Sequence, residues 1–190
     1  MNKRKLAIFD LDGTLFDTKD VNYSAYQEAI KYCGFSAEID YGFYCSYCNG
    51  NHYKDFLPVI IPGITVNEMM KIHERKKKAY AKYLKHAKKN ESLFELISCI
   101  KSEYRTALVT SASRTNADDL ISEFKIRGVF DSIITQDDVE RCKPDPEGFL
   151  KAMKESGISA EKTIIFEDSE NGIKAAQKAG ANYVRVYGWN

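Results

Sequence analysis

The 190-residue sequence predicts an α/β fold: a Rossmann-like parallel sheet core with helices on both faces and a helical cap inserted after the first strand. Two observations carry this: short apolar runs alternate with helical patterns, and one long helical stretch interrupts the alternation. The runs Leu6-Ala-Ile-Phe9, Thr106-Ala-Leu-Val109, Ser132-Ile-Ile-Thr135, Thr163-Ile-Ile-Phe166 and Tyr183-Val-Arg-Val186 are the length of buried strands, and most end in polar or acidic residues. Helical patterns near 114–126, 145–156 and 170–179 separate the later runs, with Gly157 and Gly180 where helices stop. Strands and helices in alternation fold as a parallel sheet covered on both faces.

Residues 18–90 break the rhythm. Helical patterns at 18–33 and 66–87 flank a loop-rich, aromatic stretch from Ser36 to Gly63, and a helix over 93–103 leads back into the second strand. The expected organisation is a core domain of 1–17 and 91–190, a helical cap of 18–90, and one active site shared by the two parts.

Hydrophobic residues make up 44% and charged residues 29%, as in ordinary soluble domains. The basic start Met1-Asn-Lys-Arg-Lys5 is followed by an apolar run that Asp10 cuts short, so no export segment is expected. No stretch approaches the roughly 18 apolar residues of a membrane span. A cytoplasmic protein is expected, with no membrane and no nucleic-acid partner, as a monomer or weak homodimer. The five cysteines read as free thiols. Cys45, Cys48 and His52 also have a spacing at which two thiolates and an imidazole could converge on a metal, though no fourth ligand is evident.

Net charge is only +1, but residues 71–89 hold nine Lys or Arg and one Glu. An apolar stripe at Val66, Met69/Met70, His73, Tyr80, Tyr83/Leu84 and Ala87 makes this segment an amphipathic helix with a solvated basic face. The alternative is a face that attracts an anionic substrate.

The acidic residues carry the functional signal. Asp10 and Asp12 follow the first strand, and Glu167 and Asp168 close the fourth. Carboxyl ends of parallel strands share one edge, where ligands bind. Carboxylates gathered there repel one another unless a divalent cation neutralises them, and hard oxygen donors suit magnesium. Lys143 follows the third strand, and the hydroxyls of Thr110 and Ser111 follow the second. An ammonium and hydroxyls around a carboxylate suit phosphoryl transfer. Singly, each piece has a plainer reading: Asp-Gly as a turn, Asp145-Pro146-Glu147 or Ser169 as helix caps. Their recurrence on successive strand ends favours a site.

In these motifs the chain resembles the haloacid dehalogenase-like superfamily, in the helical-cap subgroup similar to phosphoglycolate phosphatase and β-phosphoglucomutase. The motifs are Asp10-Leu-Asp-Gly-Thr14, Leu108 to Thr110, Lys143-Pro-Asp-Pro146 and Phe166-Glu-Asp-Ser-Glu-Asn-Gly-Ile173. The resemblance implies a magnesium-dependent phosphatase with Asp10 as nucleophile and Asp12 as acid and base. Asp10, Asp12 (through its carbonyl) and Asp168 would hold the metal with Glu167 nearby, and Thr110, Ser111 and Lys143 would bind phosphate. A small phosphorylated metabolite, such as a sugar or polyol phosphate, is the implied substrate. Asp12 argues against dehalogenation, which needs no leaving-group acid. Related mutases carry a His where this chain has Asn22, which cannot relay a proton, so hydrolysis is favoured over mutase chemistry. A non-catalytic phospho-ligand binder would be expected to lack a carboxylate or the lysine, and none is missing. Tyr44, Tyr47, Asn49, Asn51, His52, Tyr53 and Lys54 form a polar-aromatic segment of the cap, with His52 and Lys54 the candidate substrate contacts.

Overall fold

The computed structural model describes residues 3–187. Met1 and Asn2 of the basic start, and Trp189 and Asn190 at the other end, lie outside the described residues. Two compact units are present, Met1–Asp17 with Lys88–Asn190, and Thr18–Ala87.

The strands are β1 (Lys5–Phe9), β2 (Tyr104–Val109), β3 (Ser132–Ile134), β4 (Thr163–Glu167) and β5 (Asn182–Arg185). The helices are α1 (Lys19–Tyr32), α2 (Tyr53–Ile60), α3 (Val66–Tyr80), α4 (Glu91–Ile100), α5 (Arg114–Glu123), α6 (Glu147–Ser156) and α7 (Glu170–Lys178).

In the first unit the five strands form one parallel sheet in the order β3-β2-β1-β4-β5. The chain leaves β1 towards β2 and β3, then returns to the other side of β1 to form β4. In sheets of this kind ligands bind at the carboxyl edge where the winding reverses. Leu6 and Ile8 on one face of β1 pack with Phe149 and Met153 of α6, with Ala175 and Ala176 of α7 and with Ala179 at its C-cap. On the opposite face Phe9 stacks on Phe166 at 4.6 Å between ring centroids. Burial on both faces is why these strands read as apolar runs rather than alternating ones.

A two-residue antiparallel ribbon joins Phe16–Asp17 to Lys88–Lys89, so residues 88–90 lie in the first unit. Asn90 caps α4, its side chain accepting from Leu93 N at 3.2 Å, so the helix expected over 93–103 starts and ends earlier.

The second unit is mostly helical and packs around Tyr26, Ile30, Phe56, Leu57, Met69 and Ile72. The stretch expected to be loop-rich contains α2, a helical turn at Tyr41–Phe43 and a π-helical turn at Tyr44–Cys48. Gly50 and Pro58 read as breakers, and an eight-residue helix is too short to show its period. The helix expected over 66–87 ends at Tyr80 and tightens into a 3-10 helix over Ala81–His86. Its buried face is Met69, Ile72, Lys76, Ala79 and Tyr80, while Val66 and Met70, assigned to the stripe, are exposed. Lys76 escapes a hydropathy count because its stem is apolar and its ammonium lies over the rings of Tyr80 (4.9 Å) and Tyr26 (5.4 Å).

Candidate active site

Backbone hydrogen bonds carry the sheet one residue beyond its strands. Asp10 N donates to Phe166 O at 3.0 Å and Thr110 N to Ile134 O at 2.9 Å. Asp10 and Thr110 are thereby fixed at the carboxyl edge, and both are buried. Glu167 is the last residue of β4, and Asp168 follows it.

Lys143 draws these groups together. Its ammonium donates to Asp10 Oδ1 and Glu167 Oε1, both at 2.6 Å, and to the carbonyl of Val109 at 3.0 Å. The loop that delivers it is pinned by Glu147, whose carboxylate accepts from the backbone N–H groups of Glu140 and Arg141. Asp145 accepts from Glu147 N at 3.1 Å, but the N-cap of α6 is Pro146, so the proline stands one place before the first helical position expected of it. Glu167 Oε2 accepts from Ser169 N (2.9 Å) and Ser169 Oγ (3.0 Å). Ser169 Oγ in turn accepts from Gly172 N at 3.0 Å, so one serine both caps α7 and orients the carboxylate. Thr14, fully buried, donates to Asp168 Oδ1 at 3.0 Å.

Two glycines make this packing possible. Gly13 has φ +91°, and a Cβ there would lie 2.2 Å from Asp168 Oδ2. A Cβ on Gly172 would lie 1.9 Å from Glu167.

Among the described residues, Asp10, Glu167 and Asp168 form the set of metal-ligating side chains whose oxygens lie within 4.8 Å of one another. Burial raises the Asp10 pKa well above the usual carboxylate range, against the pull of Lys143 and helped by Glu167 and Asp168. Burial and Glu167 push Asp168 up to about 6, with the Thr14 bond opposing. For Lys143 burial works downward, but Asp10 and Glu167 outweigh it and hold the ammonium cationic above its ordinary value. Lys143 is bonded to two of the three carboxylates and Asp168 stands beside them, so carboxylates outnumber cationic side chains in the cluster. An oxygen-only donor set with that excess fits a hard divalent cation.

The remaining candidates are placed as follows. Asp12 is half-buried just past β1, bridged to Phe16. Thr110 Oγ1 accepts from Ala112 N at 3.0 Å, and Ser111, exposed, lines a small cleft together with Thr110 and Lys143. In the second unit, Tyr44 and Cys48 are buried in the core, which removes Tyr44 from the polar-aromatic surface expected of that segment. His52 caps α2, its Nδ1 accepting from Lys54 N at 3.3 Å, and both residues are exposed. Cys45, Cys48 and His52 do not converge as ligands: Cys48 faces the apolar core, and all the described cysteines are free. Thr14, Gly172 and the Val109 carbonyl are supporting groups that residue type alone did not single out, and Ser169 was expected only as a helix cap, although Gly13-Thr14 lies within the first acidic motif and Ser169 and Gly172 within the last.

A family model described as haloacid dehalogenase-like hydrolase matches residues 7–186. The chain belongs to that family and is a hydrolase of the phosphatase kind. It is 29% identical over 187 residues to the phosphorylated carbohydrates phosphatase of Thermotoga maritima, covering 95% of this chain and 83% of that one. It is 26% identical over 195 residues to the pyrophosphatase PpaX of Bacillus mycoides, covering 97% and 84%. CbbY from Rhodobacter sphaeroides, solved in complex with phosphate, superposes with a TM-score of 0.85 at 25% identity, covering 97% of this chain and 87% of that one.

Proposed function

We propose that the protein is a magnesium-dependent phosphatase that hydrolyses a small phosphorylated metabolite, of the sugar or polyol phosphate class, through a phosphoryl-aspartate at Asp10. The observation that carries this reading is the buried Asp10 carboxylate, bonded to Lys143 at 2.6 Å and clustered with Glu167 and Asp168. The Thermotoga maritima relative, named a phosphatase of phosphorylated carbohydrates, supports the substrate class.

Asp10, the carbonyl of Asp12 and Asp168 would hold the cation, with Glu167 nearby. Bound there, a divalent cation supplies charge neutralisation between an anionic nucleophile and an anionic phosphate. In the first step a carboxylate oxygen of Asp10 attacks phosphorus and the ester P–O bond breaks. The departing alkoxide takes a proton from the carboxylic acid of Asp12. In the second step Asp12, now a carboxylate, takes a proton from water as the water oxygen attacks phosphorus, and the P–O bond to Asp10 breaks to release inorganic phosphate and restore the enzyme. Lys143 stabilises charge on the nucleophile and the phosphoryl oxygens, and Thr110 and Ser111 donate hydrogen bonds to the phosphate. Two residues of the second unit, His52 and Lys54, are assigned to discrimination among esters, supported by their exposure.

Asn22, which stands where related mutases carry a His, donates its side-chain amide to Thr18 O (3.1 Å) and Thr18 Oγ1 (3.2 Å). That commitment favours hydrolysis over mutase chemistry. The test is turnover of a panel of phosphate esters, with pyrophosphate included, in magnesium and in excess chelator. Metal-dependent release of phosphate, highest from sugar or polyol phosphates, is expected. Equal rates in chelator, or turnover of pyrophosphate alone, would overturn the metal requirement or the substrate class.

A further inference from the structure

In the second unit, the end of α1 and the exposed side of α3 border an open groove of about 670 Å3, lined in part by Tyr32, Cys33, Met70, Lys71, Arg75 and Lys78. Small-molecule sites commonly span roughly 300–1,000 Å3. The groove's charge is not that of an ordinary salt-bridged helix. Glu74 also lines the groove and feels the charge of Lys78, but its hydrogen bond is to Lys77 at 2.8 Å, and Arg75 donates to Glu28 at 2.9 Å. Lys71 and Lys78 are exposed, and among the described residues neither has a carboxylate within ion-pair distance. Seven residues apart on one helix, they stand about 10 Å apart along its axis.

Between them lies an aromatic wall. The Arg75 guanidinium stacks on the Tyr32 ring at 3.9 Å, yet Tyr32 remains 69% exposed. Arg75 is held there by the ring and by Glu28, although its Nε is buried without an acceptor. The stacked cation is therefore set in place before any ligand arrives, which lowers the cost of ordering it. An open aromatic ring accepts a planar partner, and the Lys71 and Lys78 ammonium groups can donate to phosphate oxygens.

We propose that this groove is a second anion site, separate from the carboxylate cluster, that binds a phosphorylated molecule carrying a planar aromatic ring, which is the chemistry of a nucleotide. The ring would lie against Tyr32 and the phosphates would bridge Lys71 and Lys78. The proposal does not depend on the catalytic reading.

The test is calorimetric titration of the full chain with ATP in excess EDTA, which withholds the metal from the carboxylate cluster, beside the same titration with inorganic triphosphate. One ATP per chain is expected, with triphosphate binding more weakly because it lacks the ring. Lys71→Glu combined with Lys78→Glu, and separately Tyr32→Ala, should each weaken ATP about tenfold, as loss of charge-assisted or stacking contacts does. All three side chains are exposed, so the fold should survive, and Lys71→Gln with Lys78→Gln preserves the test should charge reversal disturb it. Asp10→Asn should leave ATP binding unchanged. Absence of ATP binding, binding indifferent to the groove variants, or triphosphate binding as tightly as ATP would each overturn the proposal.

Discussion

A Cβ on Gly172 would lie 1.9 Å from the carboxylate of Glu167, so the first turn of α7 packs directly on that side chain. Alanine in a helix is ordinarily favoured over glycine by about 1 kcal/mol. Here the overlap is with a buried carboxylate already held by Lys143 and Ser169, and overpacking typically costs about 1–3 kcal/mol. Gly172→Ala should therefore lower stability in urea and, by displacing the Lys143 partner, lower kcat more than KM. A variant more stable than the wild type would show that Glu167 moves freely.

Lys143 is shared by two buried carboxylates. Removing one partner of a buried ion pair costs about 3–5 kcal/mol, because the charge left behind is uncompensated. Lys143→Met should destabilise the protein on that scale and lower turnover by roughly two orders of magnitude, the size seen when a charge-stabilising donor is lost. Urea denaturation at neutral pH and steady-state kinetics measure the two effects separately. Unchanged turnover in a folded variant would exclude Lys143 from phosphate stabilisation.

Magnesium should raise the melting temperature, since a ligand that binds only the folded state stabilises it. Excess chelator should remove both the stabilisation and the activity, and calcium should inhibit because its looser coordination misplaces the reacting groups. Asp168→Ala should raise the magnesium concentration needed for half-maximal activity more than Glu167→Ala does. The reverse ranking would move the metal towards Glu167.

His73 gives the second unit a pH dependence of its own. Burial, with Lys76 and Lys77 beside it, lowers its pKa to about 4, while Glu74 pulls weakly the other way. Its Nδ1 faces the Tyr26 hydroxyl at 3.1 Å, and its ring stacks on Tyr53 at 4.1 Å. An unfolded His titrates near 6.5, so between about 4 and 6.5 the unfolded chain binds the extra proton. This contribution is full above about 6.5 and is lost as pH falls towards 4, on the order of 3 kcal/mol in all. His73→Gln should flatten the fall in stability between pH 7 and pH 5. An identical pH dependence in wild type and variant would show that His73 protonates freely in the fold.

The strands and the ends that bear Asp10, Thr110 and Glu167 were legible because buried parallel strands are apolar runs closed by polar residues. Lys143 could be placed only after the third strand. Its contact with both carboxylates depends on a loop pinned by Glu147, and hydropathy carries no record of that. Ser169 shows a different difficulty. Its capping and its grip on Glu167 are the same atom used twice, so the plain reading and the functional one do not exclude each other. In the second unit, α2 was hidden by its length and by Pro58. Lys76 was hidden by its charge, although four methylenes and two tyrosine rings make its position an apolar one.

The central claim is that Asp10 becomes phosphorylated. The most direct test is acid quenching of the enzyme during turnover of a sugar phosphate in magnesium, followed by mass spectrometry of the peptide containing Asp10. The Asp12→Asn variant should be run beside it on an aryl phosphate, whose leaving group departs without an acid, so that loss of the base slows breakdown of the intermediate more than its formation. A phosphoryl adduct on Asp10, more abundant in Asp12→Asn and absent in Asp10→Asn, is the predicted result. Steady turnover with no adduct in either protein, together with wild-type rates in Asp10→Asn, would contradict the covalent mechanism.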